Sequence, residues 1–214
     1  MLPRVASLLA SGDHKAVNKM HQMSFLIYNL VIFPIIAGML IVNDDFVRFF
    51  LGKDFQDARY AIAIMIFRMF FIGWTNIMGI QILIPHDKNK EFMLSTTIPA
   101  IVSVGLNLLF LPHFGFIGAA IVSVLTESLV WLIQLYYTRH YLKEVPIIGS
   151  MTKIMFASAV MYGLLLLIKP FLHFTPTLNV LVYAVLGGII YLIAILSLRV
   201  VDVKELKQQF LNKQ

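Results

Sequence analysis

The sequence contains no cysteine, which excludes disulfide bonds and thiol chemistry. Charged residues make up only 13% of its 214 residues, whereas about a quarter is usual in a soluble domain. Patterns of enzyme chemistry are also absent. The six histidines are scattered, and no HExxH, paired-aspartate or Gly-x-Ser-x-Gly pattern occurs. We therefore expect neither an enzyme nor a metal or cofactor site.

Apolar residues take the place of the missing charges. They make up 59% of the chain, and the mean hydropathy is +0.84. A bilayer core of about 30 Å needs about 20 apolar residues per helix. Six stretches are long enough, at residues 24–42, 60–84, 93–111, 116–136, 154–168 and 180–198. The sequence predicts an all-α, polytopic membrane helix bundle with about six transmembrane helices in a lipid bilayer.

Basic residues concentrate in alternate connections of this bundle. They are frequent before the first helix, after the second and fourth, and after the sixth. The positive-inside rule then places both termini in the cytoplasm. We predict a cytoplasmic amphipathic segment at 1–22, a transmembrane bundle at 23–200 and a cytoplasmic tail at 201–214. The net charge of +6 is explained by this topology, and no aromatic and basic face predicts nucleic-acid binding.

The connection between the third and fourth stretches is short. Its sequence, LPHFGF at 111–116, contains Pro112, which ends a helix, and Gly115, which permits a tight turn. The sequence therefore predicts that these two helices form an antiparallel hairpin.

Two charged residues, Arg68 and Glu127, interrupt the second and fourth apolar stretches. If both helices enter from the outer side, Arg68 lies about 14 Å deep and Glu127 about 17 Å deep, at 1.5 Å per residue. A charge near the bilayer centre costs roughly 3 kcal/mol on insertion scales, so such residues face a partner or a watery cavity. The two are thus functional-site candidates at similar depth.

Polar residues recur at helical spacing near this pair. The candidates for a shared cavity are Thr75 and Asn76 on the second helix, Asn107 on the third, and Ser123 and Gln134 on the fourth. Polar stripes on three helices favour a water-filled cavity that faces a substrate. The alternative is structural, in which Arg68 and Glu127 form an ion pair that joins two helices and the other residues are interhelical hydrogen bonders.

Several segments resemble the polysaccharide-biosynthesis flippases. LPHFGFIGAAIVSVLTESLVWLIQ is similar to their proline, aromatic, glycine and Gly-Ala-Ala pattern followed by Thr-Glu in one helix. FFLGKDFQDARYAIAIMI resembles their outer loop, and GIQILIPHDKNKEFM the cytoplasmic turn that follows. The opening LPRVASLLASGDHKAVNKM resembles a cytoplasmic segment that follows earlier helices. The resemblance extends from residue 2 to about 140.

The family implied is the oligosaccharide flippase branch of the multidrug/oligosaccharidyl-lipid/polysaccharide exporter superfamily, whose members have two lobes around a central cavity. The chain resembles the C-terminal lobe, so the resemblance implies a longer transporter with an N-terminal lobe that is missing here. The implied function is the flipping of undecaprenyl-diphosphate-linked sugars across the cell (plasma) membrane for cell-surface polysaccharide, such as capsule or exopolysaccharide.

Under this resemblance Arg68 is the expected contact of the diphosphate, because a guanidinium presents a fork of donors to phosphate. Glu127 is expected to hold Arg68 or to couple transport to protons or sodium. Two alternatives remain at this point. One is a multidrug or cation antiporter of the same superfamily, which Glu127 suits and Arg68 does not. The other is a truncated fragment without independent transport activity.

Overall fold

The computed structural model describes residues 2–172 and 174–200, and this part of the chain is helical without a strand. The helices are α1 (Leu2–Ala10), α2 (His14–Phe50), α3 (Ala58–Asn76), α4 (Asn89–Leu142), α5 (Ile148–Ile168) and α6 (Pro176–Ser197). A π-helical segment, Ile77–Leu83, continues α3. Short 3-10 turns lie at Lys53–Phe55, Ile84–His86 and Lys169–Phe171. The predicted all-α membrane bundle is confirmed, while the predicted tail at 201–214 lies outside the described residues.

Within the described residues, five helical stretches are long and apolar enough to cross a bilayer, and the longest of them accounts for two of the six predicted spans. This is α4, whose 54 residues would extend about 81 Å as an uninterrupted helix. Gly115 breaks it with a non-helical backbone, φ 54° and ψ −137°. The third and fourth predicted helices are therefore two limbs of α4, at residues 89–114 and 116–142.

Contacts across Gly115 show that the two limbs fold back on each other. Gln134 Nε2 donates a hydrogen bond of 3.2 Å to Ser95 Oγ, although the two residues are 39 positions apart. At the turn, a Cβ placed on Gly118 would lie 2.6 Å from the carbonyl oxygen of Phe110. Neither contact can form along a straight helix. The hairpin predicted from LPHFGF is confirmed.

The first spanning helix is longer than its apolar stretch. α2 has 37 residues, or about 55 Å, against the predicted 24–42. It begins where the Asp13 carboxylate accepts a hydrogen bond of 3.0 Å from the Ala16 amide. At its far end it continues through Asp44 and Asp45 to Phe50. Hydropathy marks where lipid ends, whereas backbone hydrogen bonding continues until a residue interrupts it, so the helix extends beyond the hydrocarbon on both sides.

α2 is shared by two packed clusters. On one side it packs with α5 and α6 around a cluster that includes Ile41, Ile154, Ala157, Leu165 and Tyr183. On the other side it packs with α3 and the π-helical segment around Phe25, Trp74, Met78 and Ile82.

The outer faces of the bundle remain apolar. Leu108, Leu167 and Leu192 are each at least 60% exposed. Such faces are suited to lipid, which does not penalise exposed aliphatic side chains.

Candidate functional site: a polar cleft between α3 and the limbs of α4

An ion pair joins α3 to the second limb of α4. Arg68 Nη2 donates to Glu127 Oε1 at 2.9 Å. The Arg68 side chain is 36% exposed and that of Glu127 is 20% exposed. Arg68 Nε is buried, and no described residue accepts a hydrogen bond from it. The guanidinium therefore neutralises the carboxylate and keeps further donors available.

A cleft of about 320 Å³ lies beside this pair, between α3 with the π-helical segment and both limbs of α4. Its polar lining residues are Thr75, Asn76, Thr96, Thr126, Glu127 and Gln134, and its apolar ones are Ile80, Phe92, Ala100 and Val130. Arg68 is not among them. Glu127 thus belongs both to the cleft and to the ion pair, and connects the two.

Four of the predicted site residues meet at this cleft: Thr75, Asn76, Glu127 and Gln134. Asn107 and Ser123 do not line it. The Asn107 amide instead donates to the Ser103 carbonyl one turn earlier, at 2.8 Å. Helical spacing predicted that Asn107 and Ser123 face the shared cavity. The Asn107 side chain instead bonds to the backbone of its own helix. The transport roles of the four cleft residues, and of Arg68, stay predictions.

Gln134 is a deeply buried member of the cleft, with 1% exposure. Ser95 Oγ donates its only proton to the Phe92 carbonyl, at 2.7 Å. Ser95 can therefore only accept from Gln134, which fixes the amide orientation with Nε2 towards Ser95. Gln134 Oε1 is left buried, with no hydrogen-bond donor to it in the part of the chain that the structure describes. A buried unsatisfied acceptor costs about 1–3 kcal/mol, which a ligand donor at this position would recover.

The π-helical segment forms one wall of the cleft through a close approach. A Cβ on Gly79 would lie 2.6 Å from Phe92 Cε2 and 3.0 Å from Gln134 Nε2. A larger residue at this position would have to displace the ends of these two side chains, one from each limb of α4. π-helices are rare and occur frequently at functional sites, because they redirect side chains within a continuous helix.

The other side of the π-helical segment is held by α2. The Gln81 carbonyl lies 3.2 Å from His21 Nε2, which must donate because a carbonyl only accepts. Ser24 Oγ donates to Gln81 Oε1 at 2.8 Å. His21 is 1% exposed, whereas the sequence indicated only a scattered histidine in a cytoplasmic segment. No spacing rule links His21 to Gln81, so sequence reasoning missed this anchor.

The described residues hold no group of three or more His, Asp or Glu placed to bind a metal ion. The polar lining of the cleft presents hydroxyl, amide and carboxylate groups, and the Arg68 guanidinium lies beside it.

No protein-family model matches the chain. It is 23% identical over 211 residues to an uncharacterised membrane protein of Methanocaldococcus jannaschii, an alignment that covers 97% of this chain and 40% of the relative. It is 26% identical over 143 residues to a protein of Escherichia coli (strain K12) named as a candidate O-antigen transporter, covering 64% of this chain and 33% of the relative. The chain thus spans less than half the length of these curated relatives. The similarities support a multi-pass, transporter-like membrane protein.

Proposed function

We propose that the chain takes part in moving lipid-linked oligosaccharide repeat units across the cell membrane, as part of the export of cell-surface polysaccharide. The observation that carries this proposal is a polar cleft within an apolar bundle, bordered by the Arg68–Glu127 pair. The similarity to a candidate O-antigen transporter supports it, because the name of that protein refers to a surface saccharide.

The physical requirement is a path for a polar head group through hydrocarbon. Sugar and phosphate groups lose their water in the bilayer core, and unpaired polar groups there are costly. The cleft offers replacement partners, and Arg68 offers donors suited to a phosphate. Glu127 orients the guanidinium. In a two-lobed transporter, rocking of one lobe against the other would expose such a site to each side in turn.

A second function is favoured by one observation. Glu127 lines the cleft whereas Arg68 does not, as expected of a multidrug or cation antiporter that binds its cargo at a carboxylate. The ion pair argues against it, because the guanidinium at 2.9 Å already neutralises that carboxylate. We therefore place this function second.

Reconstitution of the chain into vesicles tests the proposal. A fluorescent lipid-linked disaccharide is placed in both leaflets, and a membrane-impermeant reductant reports how fast inner-leaflet lipid reaches the outside. We expect transfer faster than in protein-free vesicles, and its loss in Ala100→Phe, which fills the cleft. Gly105→Ala, which meets nothing within 4 Å, is the matched control.

Two results would count against the proposal. Transfer equal to that of protein-free vesicles would reject flipping by this chain. Uptake of a lipophilic cation driven by a pH gradient, blocked by the same Ala100→Phe substitution, would instead support the antiporter.

A further inference from the structure

We propose that the cleft binds the uncharged, hydroxyl-rich sugar of the cargo, and that the diphosphate stays outside it beside Arg68. This inference rests on the proposed function and deepens it by assigning the two parts of the head group to different places. The sequence predicts Arg68 as the head-group contact beside a polar cavity, without dividing the head group between them. Two properties of the cleft lining favour the sugar over the diphosphate: its charge, and its excess of hydrogen-bond acceptors over donors.

The charge of the cleft does not suit a phosphate. Of the ten lining residues, only Glu127 carries a charge, and no lining residue is basic. A diphosphate inside the cleft would meet a carboxylate and no cation. That carboxylate is paired with Arg68 at 2.9 Å, but a phosphate that finds no cationic partner in the lining would remain unpaired at low dielectric, which is costly. Arg68, beyond the lining, is the nearest place identified for the anionic part.

The hydrogen-bonding capacity of the cleft is also one-sided. Thr75, Thr96 and Thr126 each donate their hydroxyl proton to a carbonyl of their own helix, at 2.8–2.9 Å. The Asn76 amide likewise donates to the Ile72 carbonyl, at 2.8 Å. These residues therefore present oxygen acceptors to the cleft, while most of their donors are already used. A ligand that fits must bring donors.

Sugar hydroxyls supply donors, whereas ionised phosphate oxygens only accept. Gln134 lines the cleft, and its Oε1 has no hydrogen-bond partner among the described residues, so a hydroxyl that reached this oxygen would supply the missing donor. The apolar lining residues Ile80, Phe92 and Val130 provide a surface for the C–H faces of a sugar ring. A volume of about 320 Å³ lies at the lower end of the range for small-molecule sites.

An organic cation also brings donors or a positive charge, and it is the competing ligand. Its charge would find only the Glu127 carboxylate, which Arg68 already pairs at 2.9 Å. The hydroxyl groups of a sugar bind to neutral acceptors of the lining, so the pairing of Glu127 with Arg68 does not weaken their hydrogen bonds. The acceptor-rich lining therefore favours a neutral polyol over a cation.

Because the chain has no cysteine, single thiols can report occupancy. Thr96→Cys places a thiol in the cleft, and Gly188→Cys places one in the separate apolar groove between α2, α5 and α6. Both proteins are incorporated into lipid nanodiscs and labelled with a maleimide. Three amphiphiles with the same alkyl chain are added below micellar concentration, with a neutral disaccharide, a diphosphate or a trimethylammonium head group.

We expect the alkyl disaccharide to slow labelling of Thr96→Cys and to leave Gly188→Cys unaffected. The diphosphate and the trimethylammonium compounds should not protect either position. Adding Gln134→Leu should raise the half-protecting disaccharide concentration about three- to tenfold, the loss expected for one neutral hydrogen bond. Thr126→Val, which removes an acceptor with little change of shape, provides a second variant should Gln134→Leu fail to fold.

Protection by the diphosphate alone would show that the cleft takes the phosphate, and would overturn this inference while leaving the flippase proposal intact. Protection by trimethylammonium alone would overturn it in favour of a cation site. Equal labelling with all three compounds would overturn it as well. Conversely, protection by the disaccharide without lipid transfer in vesicles would reject the proposed transport and retain the sugar site.

Discussion

The hydroxyl of Tyr191 donates a hydrogen bond of 2.8 Å to the carbonyl of Leu30. Leu30 lies four residues before Pro34, the proline inside α2. In an α-helix this carbonyl would accept from the amide of residue 34, but proline has none. α6 thus supplies the donor that α2 lacks, where no water replaces it.

Tyr191→Phe should therefore destabilise the protein by about 1–3 kcal/mol, since it leaves the Leu30 carbonyl unsatisfied. Pro34→Ala restores the backbone donor, so the same tyrosine substitution should cost clearly less in that background. The midpoint of thermal unfolding in detergent, measured for both single variants and the double variant, gives the coupling. Equal penalties in the two backgrounds would show that the hydroxyl does not serve this carbonyl.

For the ion pair, we expect Arg68→Ala and Glu127→Ala each to lower thermal stability, because each leaves an unpaired charge that is more than half-buried. The double variant should lose less than the sum of the two. Both side chains are partly exposed, so a coupling of about 1 kcal/mol is expected rather than the full value of a buried pair. Additive losses would indicate that the two side chains do not interact in the bilayer.

The same residues separate a structural role from substrate contact. In the vesicle assay, Arg68→Ala should abolish transfer of lipid-linked saccharide, and Arg68→Lys should restore little, because an ammonium lacks the planar fork of donors. Exchange of both residues, Arg68→Glu with Glu127→Arg, retains their attraction but moves the positive charge to α4. Full transfer by the exchanged protein at normal expression would leave the pair as a structural link only.

We predict that position 115 requires glycine because of its backbone conformation and not because a side chain there would clash. Its φ of 54° with ψ of −137° is accessible mainly to glycine, and a Cβ there would meet nothing within 4 Å. Gly115→Ala should cost about 1–3 kcal/mol. Gly105→Ala, within the first limb and equally unobstructed, should be neutral or slightly stabilising because alanine favours helix. Thermal unfolding of the two variants compares them directly.

The topology is tested by single cysteines at the exposed positions Asp54 and Lys88. Because lysine and arginine concentrate on the predicted cytoplasmic side, Asp54→Cys should react with an impermeant maleimide in whole cells. Lys88→Cys should react only after permeabilisation. The reverse labelling pattern would invert the proposed orientation.

The sequence was sufficient to predict features that depend on local chemistry. Length and hydropathy predicted the helical bundle, and Pro112 with Gly115 predicted the hairpin. Helical spacing from Glu127 predicted that Gln134 and Ser123 share a face with it. Gln134 lines the cleft, whereas Ser123 does not. Helical spacing shows which residues share one face of a helix. Which of these residues line a cleft depends on how the neighbouring helices pack against that face.

Features that depend on distant partners could not be predicted. The unsatisfied Gln134 oxygen follows from the hydrogen bond that Ser95 gives to Phe92, on the other limb of α4. The anchor of His21 on Gln81 joins residues 60 positions apart. The π-helical segment itself has no clear signature beyond Gly79, since its wider turn is stabilised by these tertiary contacts.

That wider turn changes the rotational phase of the second span. A π-turn accommodates one more residue than an α-turn, so everything after it is rotated by about 100° from where α-helical counting would place it. Within the wider turn, Gly79 lies against side chains of both limbs of α4 while Gln81 bonds to His21 and Ser24 of α2. Deletion of one residue from Ile77–Leu83 would therefore let the segment return to α-helical winding while the residues that follow keep their rotational phase.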